Sequence, residues 1–440
     1  MRTVFRGASV LPCTPTPAGT RLQLADLAME DGFIVGLGAV PEQPGDETVD
    51  ATGRWILPGF VQPHIHLVQS LFRGLADDMP LMEWLRTRIW PLERAHDAES
   101  VYASARLGIH ELLVGGTTAL LDMATVSHTD SVFQAAREAG IRMWCGSAMM
   151  DRDNLAGLGT TLDVAMRTAN DLADRWDGGR RPGAAGLLRY AYAPRFVPSC
   201  SDELLRTVAT EARRRGCLIH SHASENLDEV ALVGQLTGDD NIHHLHAQGL
   251  SGADVVLAHC IHLSDSEIEL LALTRTRVAH CPSSNQKLAS GVCRVPELMA
   301  RGVHVSLAAD GAPCNNRLDA FAEMRLAALI QSTRLGAGAL PASVVVRMAT
   351  AHGAEALGFP GGMLAPGKVA DLVVLDPDVI WSGGDAASTV VYTMDPRAVR
   401  QTWVAGRKVA EDGHVLAWDT AETVKLCRES LGRVRLRADV

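Results

Sequence analysis

The sequence predicts an α/β protein: a closed (β/α)8 barrel of the TIM type carrying a small composite β-sandwich domain built from both chain ends. Three observations predict it. Eight strand-like apolar runs alternate with helical segments between residues 58 and 355. Both ends of the chain instead show short Val- and Ile-rich runs broken by Gly and Pro turns. No Gly-rich phosphate turn follows the first barrel run, which argues against an open doubly wound sheet.

In chain order, residues 1–57 form the first part of the composite domain. There "FIVGLGAV" and "ETVDATGRWIL" carry no helical stripe. Residues 58–355 form the barrel, with strands expected in "FVQPHIHL", "TTALLDMA", "IRMWCGSAMM", "LLRYAYAPRF", "CLIHSHAS", "VVLAHCIHL", "RVAHCPSS" and "HVSLAADG". Between them, "SDELLRTVATEARRRG" reads as a helix with Ser or Asp at its start and Gly216 at its end. "SENLDEVALVGQL" and "LSDSEIELLALT" start in the same acidic or Ser-rich way. "RWDGGRRPGAAG", Arg175 to Gly186, reads as a surface loop. Residues 356–440 return to short strands in "GMLAPGKVADLVVLDP" and "VRQTWVAGRKVAEDG" and close with a terminal helix.

Composition narrows the function. The chain has 440 residues, 47% hydrophobic and 21% charged, as globular proteins do. A net charge of −10 gives no basic surface for phosphate backbones, so nucleic acid is not an expected partner. No apolar run reaches the roughly 18 residues of a membrane span, and the start lacks the apolar core of a signal peptide. Nine scattered cysteines do not form a disulfide framework. A reduced, cytoplasmic protein is expected.

The chemistry begins at "GFVQPHIHLVQS". Residues i and i+2 of a strand face one way, so His64 and His66 converge, as metal ligands do. The other expected strand ends add His220, His222 and Glu225, then His259 and His262, then His280, then Asp310. Barrel enzymes place their chemistry on that rim. His64, His66, His222 and Asp310 make a natural set for one Zn2+, with Fe2+ as an alternative, leaving a position open for water. No lysine precedes Lys287, so strands one to six supply no lysine to bridge two metals. Glu225 can move protons or simply favour a helix dipole. His259 can be a further ligand or a partner to a bound oxygen. His220 is expected to pack structurally, and His262 and His280 to support the site or the fold. Cys260 and Cys281 each follow a histidine, should point away from it, and are given no role.

Together, "GFVQPHIHL", "HSHASEN", "LAHCIHL", "VAHCPSSNQKLASG" and "LAADGAPCNN" resemble the amidohydrolase superfamily, and more narrowly its purine and triazine aminohydrolase branch. The resemblance runs through "GGMLAPGKVADLVVLD", nearly the whole chain. It implies a single-metal barrel, usually dimeric, acting on a small heterocyclic substrate. It also implies the roles. The metal makes hydroxide from water near neutral pH. Asp310 takes that proton and later delivers one to the departing amine. Glu225 protonates the ring nitrogen beside the attacked carbon, and His259 stabilises the attacking oxygen.

For substrate, the resemblance points two ways. "LFRGLADDMPLMEWLRTRIWPLE" is similar to deaminases of methylthioadenosine, S-adenosylhomocysteine and 5′-deoxyadenosine, which makes Glu93 a ribose clamp and Trp84 a pocket wall. Gln69, Arg195 in "APRFVPSCS", and "VGGTTALLDMATVSHTDS" resemble guanine deaminases, where such residues read the base. Arginine has five donors and no acceptor, so it suits an oxo group better than a ring nitrogen needing a proton. It can also be a structural ion pair. Triazine dechlorination and a non-catalytic metal-binding barrel remain alternatives.

Overall fold

The structure is a computed structural model and describes residues 2–152, 156–177 and 186–439. The expected loop between Arg175 and Gly186 therefore lies largely outside the described residues. The chain opens with β1 (Arg2–Val10), β2 (Gln23–Glu30), β3 (Phe33–Gly38), β4 (Glu47–Asp50) and β5 (Trp55–Pro58). The second sheet holds β6 (Phe60–His66), β7 (Thr117–Met123), β8 (Arg142–Gly146), β9 (Ala148–Met149), β10 (Leu188–Pro194), β11 (Leu218–Ala223), β12 (Val255–His259), β13 (Arg277–His280), β14 (His304–Leu307) and β15 (Asp310–Gly311). β16 (Leu372–Leu375), β17 (Val399–Val404), β18 (Arg407–Glu411) and β19 (His414–Val415) follow.

The second sheet is the barrel. Its order is β14-β13-β12-β11-β10-β8-β7-β6-β15, with every pairing parallel and β9 beside β10. All eight expected runs are strands, but the eighth is split, and the split closes the ring. β14 pairs with β13, whereas β15 pairs with β6, Asp310 opposite Ile65. At the break, the buried Gln62 amide replaces the missing ladder. Its Oε1 accepts from Ala309 N–H at 2.9 Å, and its Nε2 donates to Thr117 Oγ1 at 3.0 Å. Buried backbone groups must find such partners.

The helices follow from their caps. Ser201 accepts from Leu204 N–H to start the helix Asp202–Arg215, and Gly216 ends it at φ 71°. Asn226 and Glu229 form a reciprocal capping box on Leu227–Thr237, as Ser264 and Glu267 do on Asp265–Thr274. The terminal helix Thr420–Ala438 lies along Ala98–Val114, held by Arg437 on Asp97 at 2.6 Å. Among the described residues no helix is long and apolar enough to cross a membrane.

The other sheet draws on both chain ends in the order β19-β18-β17-β16-β5-β1-β2-β3, with β4 against β1. It is mostly antiparallel, β1 alone pairing in parallel with β4 and β5. Its apolar core joins Phe5, Leu27, Met29 and Ile34 to Leu372, Val374 and Trp403. A buried ion pair joins it to the barrel, beside apolar packing of Leu57, Val373 and Val404 into the barrel's core. Arg142 on β8 makes two hydrogen bonds to Asp371, at 2.7 and 3.0 Å, and Asp371 also accepts from Ala405 N–H at 2.7 Å.

Candidate metal centre and active site

The C-terminal ends of β6, β11 and β12 and the start of β15 bring His64, His66, His222, His259 and Asp310 together on one rim. All five are buried or nearly so. The hydrogen bonds of the first three determine their tautomers. His66 Nδ1 lies 2.8 Å from the Met123 carbonyl, and His222 Nδ1 lies 2.7 Å from the Arg195 carbonyl. A carbonyl only accepts, so both Nδ1 atoms carry protons. Burial depresses both imidazoles, His66 to about 4 and His222 well below the usual range, so the rings are neutral and each Nε2 is bare.

Those two bare nitrogens face each other at 3.2 Å. Two lone pairs at that distance repel unless a cation lies between them. His64 Nε2 is likewise buried without a hydrogen-bond partner, 3.2 Å from Asp310 Oδ1. The ligand atoms of His64, His66 and Asp310 all fall within 4.8 Å of one another. Three bare imidazole nitrogens and a carboxylate are a donor set for a borderline divalent metal, so these residues fit one. Asp310 itself is held at φ 67°, in the left-handed region, and its Oδ2 accepts from Ser284 Oγ at 2.6 Å.

Proton-moving groups stand beside this set. His259 Nδ1 meets Asn285 Oδ1 at 2.8 Å, and its Nε2 lies 3.4 Å from Glu225 Oε2 and 3.8 Å from Asp310 Oδ2. Burial pushes the Glu225 carboxyl well up, and the Asp310 and Glu229 carboxylates push it further, which favours its protonated form. Glu229 anchors Glu225 from below. It accepts from the Glu225 N–H at 2.7 Å and from Asn241 Nδ2 at 2.7 Å.

A cleft of about 440 Å³ opens over these groups, lined by Gln69, Trp84, Arg195, Phe196 and Leu288 besides the metal-facing residues. Its outer wall is a helix interrupted by a π turn at Leu85–Ile89, just where Pro91 removes a helical N–H. Arg195 grips Glu93 with two hydrogen bonds, at 2.7 and 3.1 Å, both side chains being buried. Gln69 Nε2 and Thr125 Oγ1 also donate to Glu93, at 2.8 and 3.3 Å. Burial opposes a charge on Glu93, but the Arg195 charge and the hydrogen bonds from Arg195 and Gln69 together hold the carboxyl below its usual range. Gln69 Oε1 and Trp84 Nε1 remain buried without partners.

A family model described as "Amidohydrolase family" matches residues 55–409. The chain is 41% identical to a 5′-deoxyadenosine deaminase of Methanothermobacter thermautotrophicus, over 84% of this chain and 86% of that one. It superposes on an adenosine deaminase from Xanthomonas campestris solved with bound zinc, at TM-score 0.91 and 30% identity, covering 99% and 98% of the two chains. It also superposes on the E. coli guanine deaminase at TM-score 0.82 and 28% identity, covering 93% and 99%. The chain belongs to the amidohydrolase family.

As an amidohydrolase it is a hydrolase, and its barrel rim and composite sheet are the family's architecture. Within it, the structure gathers His64, His66, His222, His259, Glu225 and Asp310, and sets Gln69, Trp84 and Arg195 on the cleft wall. Glu93 is not on that wall; it lies behind Arg195 and Gln69. His262 turns its Nε2 to the Ser290 carbonyl at 2.6 Å, and His280 is buried with neither nitrogen bonded. Cys281 Sγ, one residue past the end of β13, lies within 4.8 Å of ligand atoms of His259 and Asp310. Sequence reading missed Ser284, Asn285 and Glu229. The polar run "PSSN" after His280 and the capping signature around Asn226 were the available signals.

Proposed function

We propose that this amidohydrolase is a metal-dependent deaminase of a purine-like heterocycle, and that the ring it reads carries a carbonyl beside an N–H, as guanine-type oxopurines and pterins do. One observation carries the substrate choice. Glu93, the residue suited to hold a ribose diol, has both oxygens engaged by Arg195, whereas Gln69 and Arg195 line the cleft and Gln69 Oε1 has no hydrogen-bond partner. An amide acceptor beside guanidinium donors matches an N–H next to a carbonyl. A buried site of this kind discriminates by leaving its polar groups unpaired when the wrong ring enters.

His64, His66, His222 and Asp310 would hold one metal ion, zinc in this reading and iron(II) as the alternative. When bound, it supplies Lewis-acid activation of water. Asp310, fixed by Ser284, takes up the water proton and returns one to the departing amine. Glu225, protonated at rest, delivers its proton to the ring nitrogen next to the attacked carbon. His259, oriented by Asn285, lies beside the attacking oxygen. Trp84, Leu81, Leu85 and Leu288 keep water from the ring face.

A second reading, an adenosine-type nucleoside such as 5′-deoxyadenosine, is favoured by the identity to the Methanothermobacter deaminase. It requires Glu93 to leave Arg195 and turn to the ribose. Ammonia release by the zinc-loaded protein decides, with guanine, pterin, 5′-deoxyadenosine, methylthioadenosine and a chlorotriazine as the panel. The oxopurine reading expects kcat/KM for guanine or pterin at least about tenfold above the nucleosides, a difference of about 1.4 kcal/mol. The reverse order transfers the assignment to the nucleosides, and chloride release transfers it to triazines. The proposal includes a cytoplasmic location, supported by nine free, buried cysteines. It also includes a homodimer or higher homo-oligomer, and no nucleic-acid or membrane partner, consistent with the net charge of −10.

A further inference from the structure

We infer that His220 is a positioning residue for the metal: it fixes the tautomer of His64 and thereby aims His64 Nε2 at the ion. The inference rests on the ligand set proposed above and deepens it. His66 and His222 each have a backbone carbonyl for their Nδ1 proton, from Met123 and Arg195. His64 has none. Its Nδ1 lies 2.7 Å from His220 Nε2, and His220 Nδ1 in turn lies 3.0 Å from the Val256 carbonyl.

The chain of donors has one solution for neutral rings. The Val256 carbonyl can only accept, so His220 carries its proton on Nδ1. A neutral imidazole then offers Nε2 as an acceptor. His64 must therefore place its proton on Nδ1, which leaves Nε2 bare and pointing into the site, where it has no hydrogen-bond partner. Both rings are fully buried, and an imidazole that ligates a metal is neutral. The alternation of β11 explains the pattern "HSH" at 220–222. One strand sends His222 to the ion and, one step deeper on the same face, sends His220 to brace a ligand from β6. Supports of this kind fix ring orientation and raise ligand basicity, and their loss costs roughly 10–100-fold in metal affinity.

The test is zinc affinity of the full-length protein, measured by competition with a chelating dye after metal removal. Thermal melting checks that each metal-free variant is folded. His220→Leu is expected to weaken zinc binding by about 10–100-fold. His220→Gln is expected to recover most of it, since its carbonyl can accept from His64 and its amide can donate to Val256. His280→Leu is the control, removing another buried imidazole that has no hydrogen-bond partner; it is expected to leave affinity unchanged. If His220→Leu does not fold, His220→Asn, whose shorter amide cannot span both partners, replaces it. Wild-type affinity in His220→Leu overturns the inference. So does an equal loss in His220→Gln, which would mean that shape alone matters, or an equal loss in His280→Leu. Failure of the wild-type protein to bind zinc, or zinc binding unaffected by His64→Ala, overturns the ligand set itself, a failure separate from that of His220.

Discussion

Two buried polar clusters of this molecule are built alike and finished differently. At the seam between the sheets, Arg142 and Asp371 pair bidentately, and Asp371 takes a third bond from Ala405 N–H. At the rim, His64 Nε2 has no hydrogen-bond partner, and His66 and His222 point bare nitrogens at each other. The first cluster is complete within the protein and the second is not. Buried polar groups are nearly always satisfied, and here the unsatisfied imidazole nitrogens converge with the Asp310 carboxylate into a donor set that fits a metal. Beside the cleft the two patterns meet: Glu93, behind the wall, is fully engaged, while Gln69 Oε1 has no hydrogen-bond partner.

The largest separation between the clusters should come from Glu225→Gln. It keeps the shape of the rim and removes the transferable proton. Steady-state kinetics should show kcat lower by about 10²–10⁴-fold, with the melting temperature near that of the wild type. Unchanged kcat would remove Glu225 from the proton path and bring back a barrel that only binds.

The seam should respond in the opposite way. Arg142→Met strands the buried Asp371 charge, a loss of about 3–5 kcal/mol, read as a marked fall in melting temperature. Protein that stays folded should keep its zinc affinity. Adding Asp371→Asn should recover part of the loss, because the amide oxygen still accepts from Ala405. A seam variant that loses zinc without losing stability would break the distinction between the two regions.

The smallest effect is a shift in a pH profile. Burial, Asp310 and Glu229 raise the Glu225 pKa, and the Arg195 charge opposes them. A protonated Glu225 is required, so activity falls as pH rises through its pKa. Glu229→Gln removes one of the raising charges while leaving an acceptor for the Glu225 N–H. The basic limb of kcat/KM should therefore move to lower pH. A limb that stays in place would show that Glu229 acts through geometry alone.

Much of the fold was legible because its signals are local. Alternating strand and helix texture, Ser201 and Gly216 as caps, and turn-rich ends depend on residues a few positions apart. The clustering of His64, His66, His222, His259 and Asp310 was legible for a related reason. The four histidines stand at or near the ends of their strands, Asp310 follows the end of β14, and a parallel barrel collects strand ends on one rim. Less visible was the split of the eighth strand, since nothing in "HVSLAADG" announces that Gln62 will stand in for its ladder. Glu93 and Arg195 looked like rival clues to different substrates. They lie 102 residues apart in the chain, and only folding makes them one ion pair.

By itself, then, the sequence determined which residue types stand at which strand ends, because side-chain alternation and capping are set by near neighbours. Which nitrogen of each histidine is bare, which carboxylate is engaged and which amide is left open were decided only by the tertiary structure. Those properties belong to hydrogen bonds between distant strands, and a proton's position on an imidazole follows from the partner that folding places opposite it.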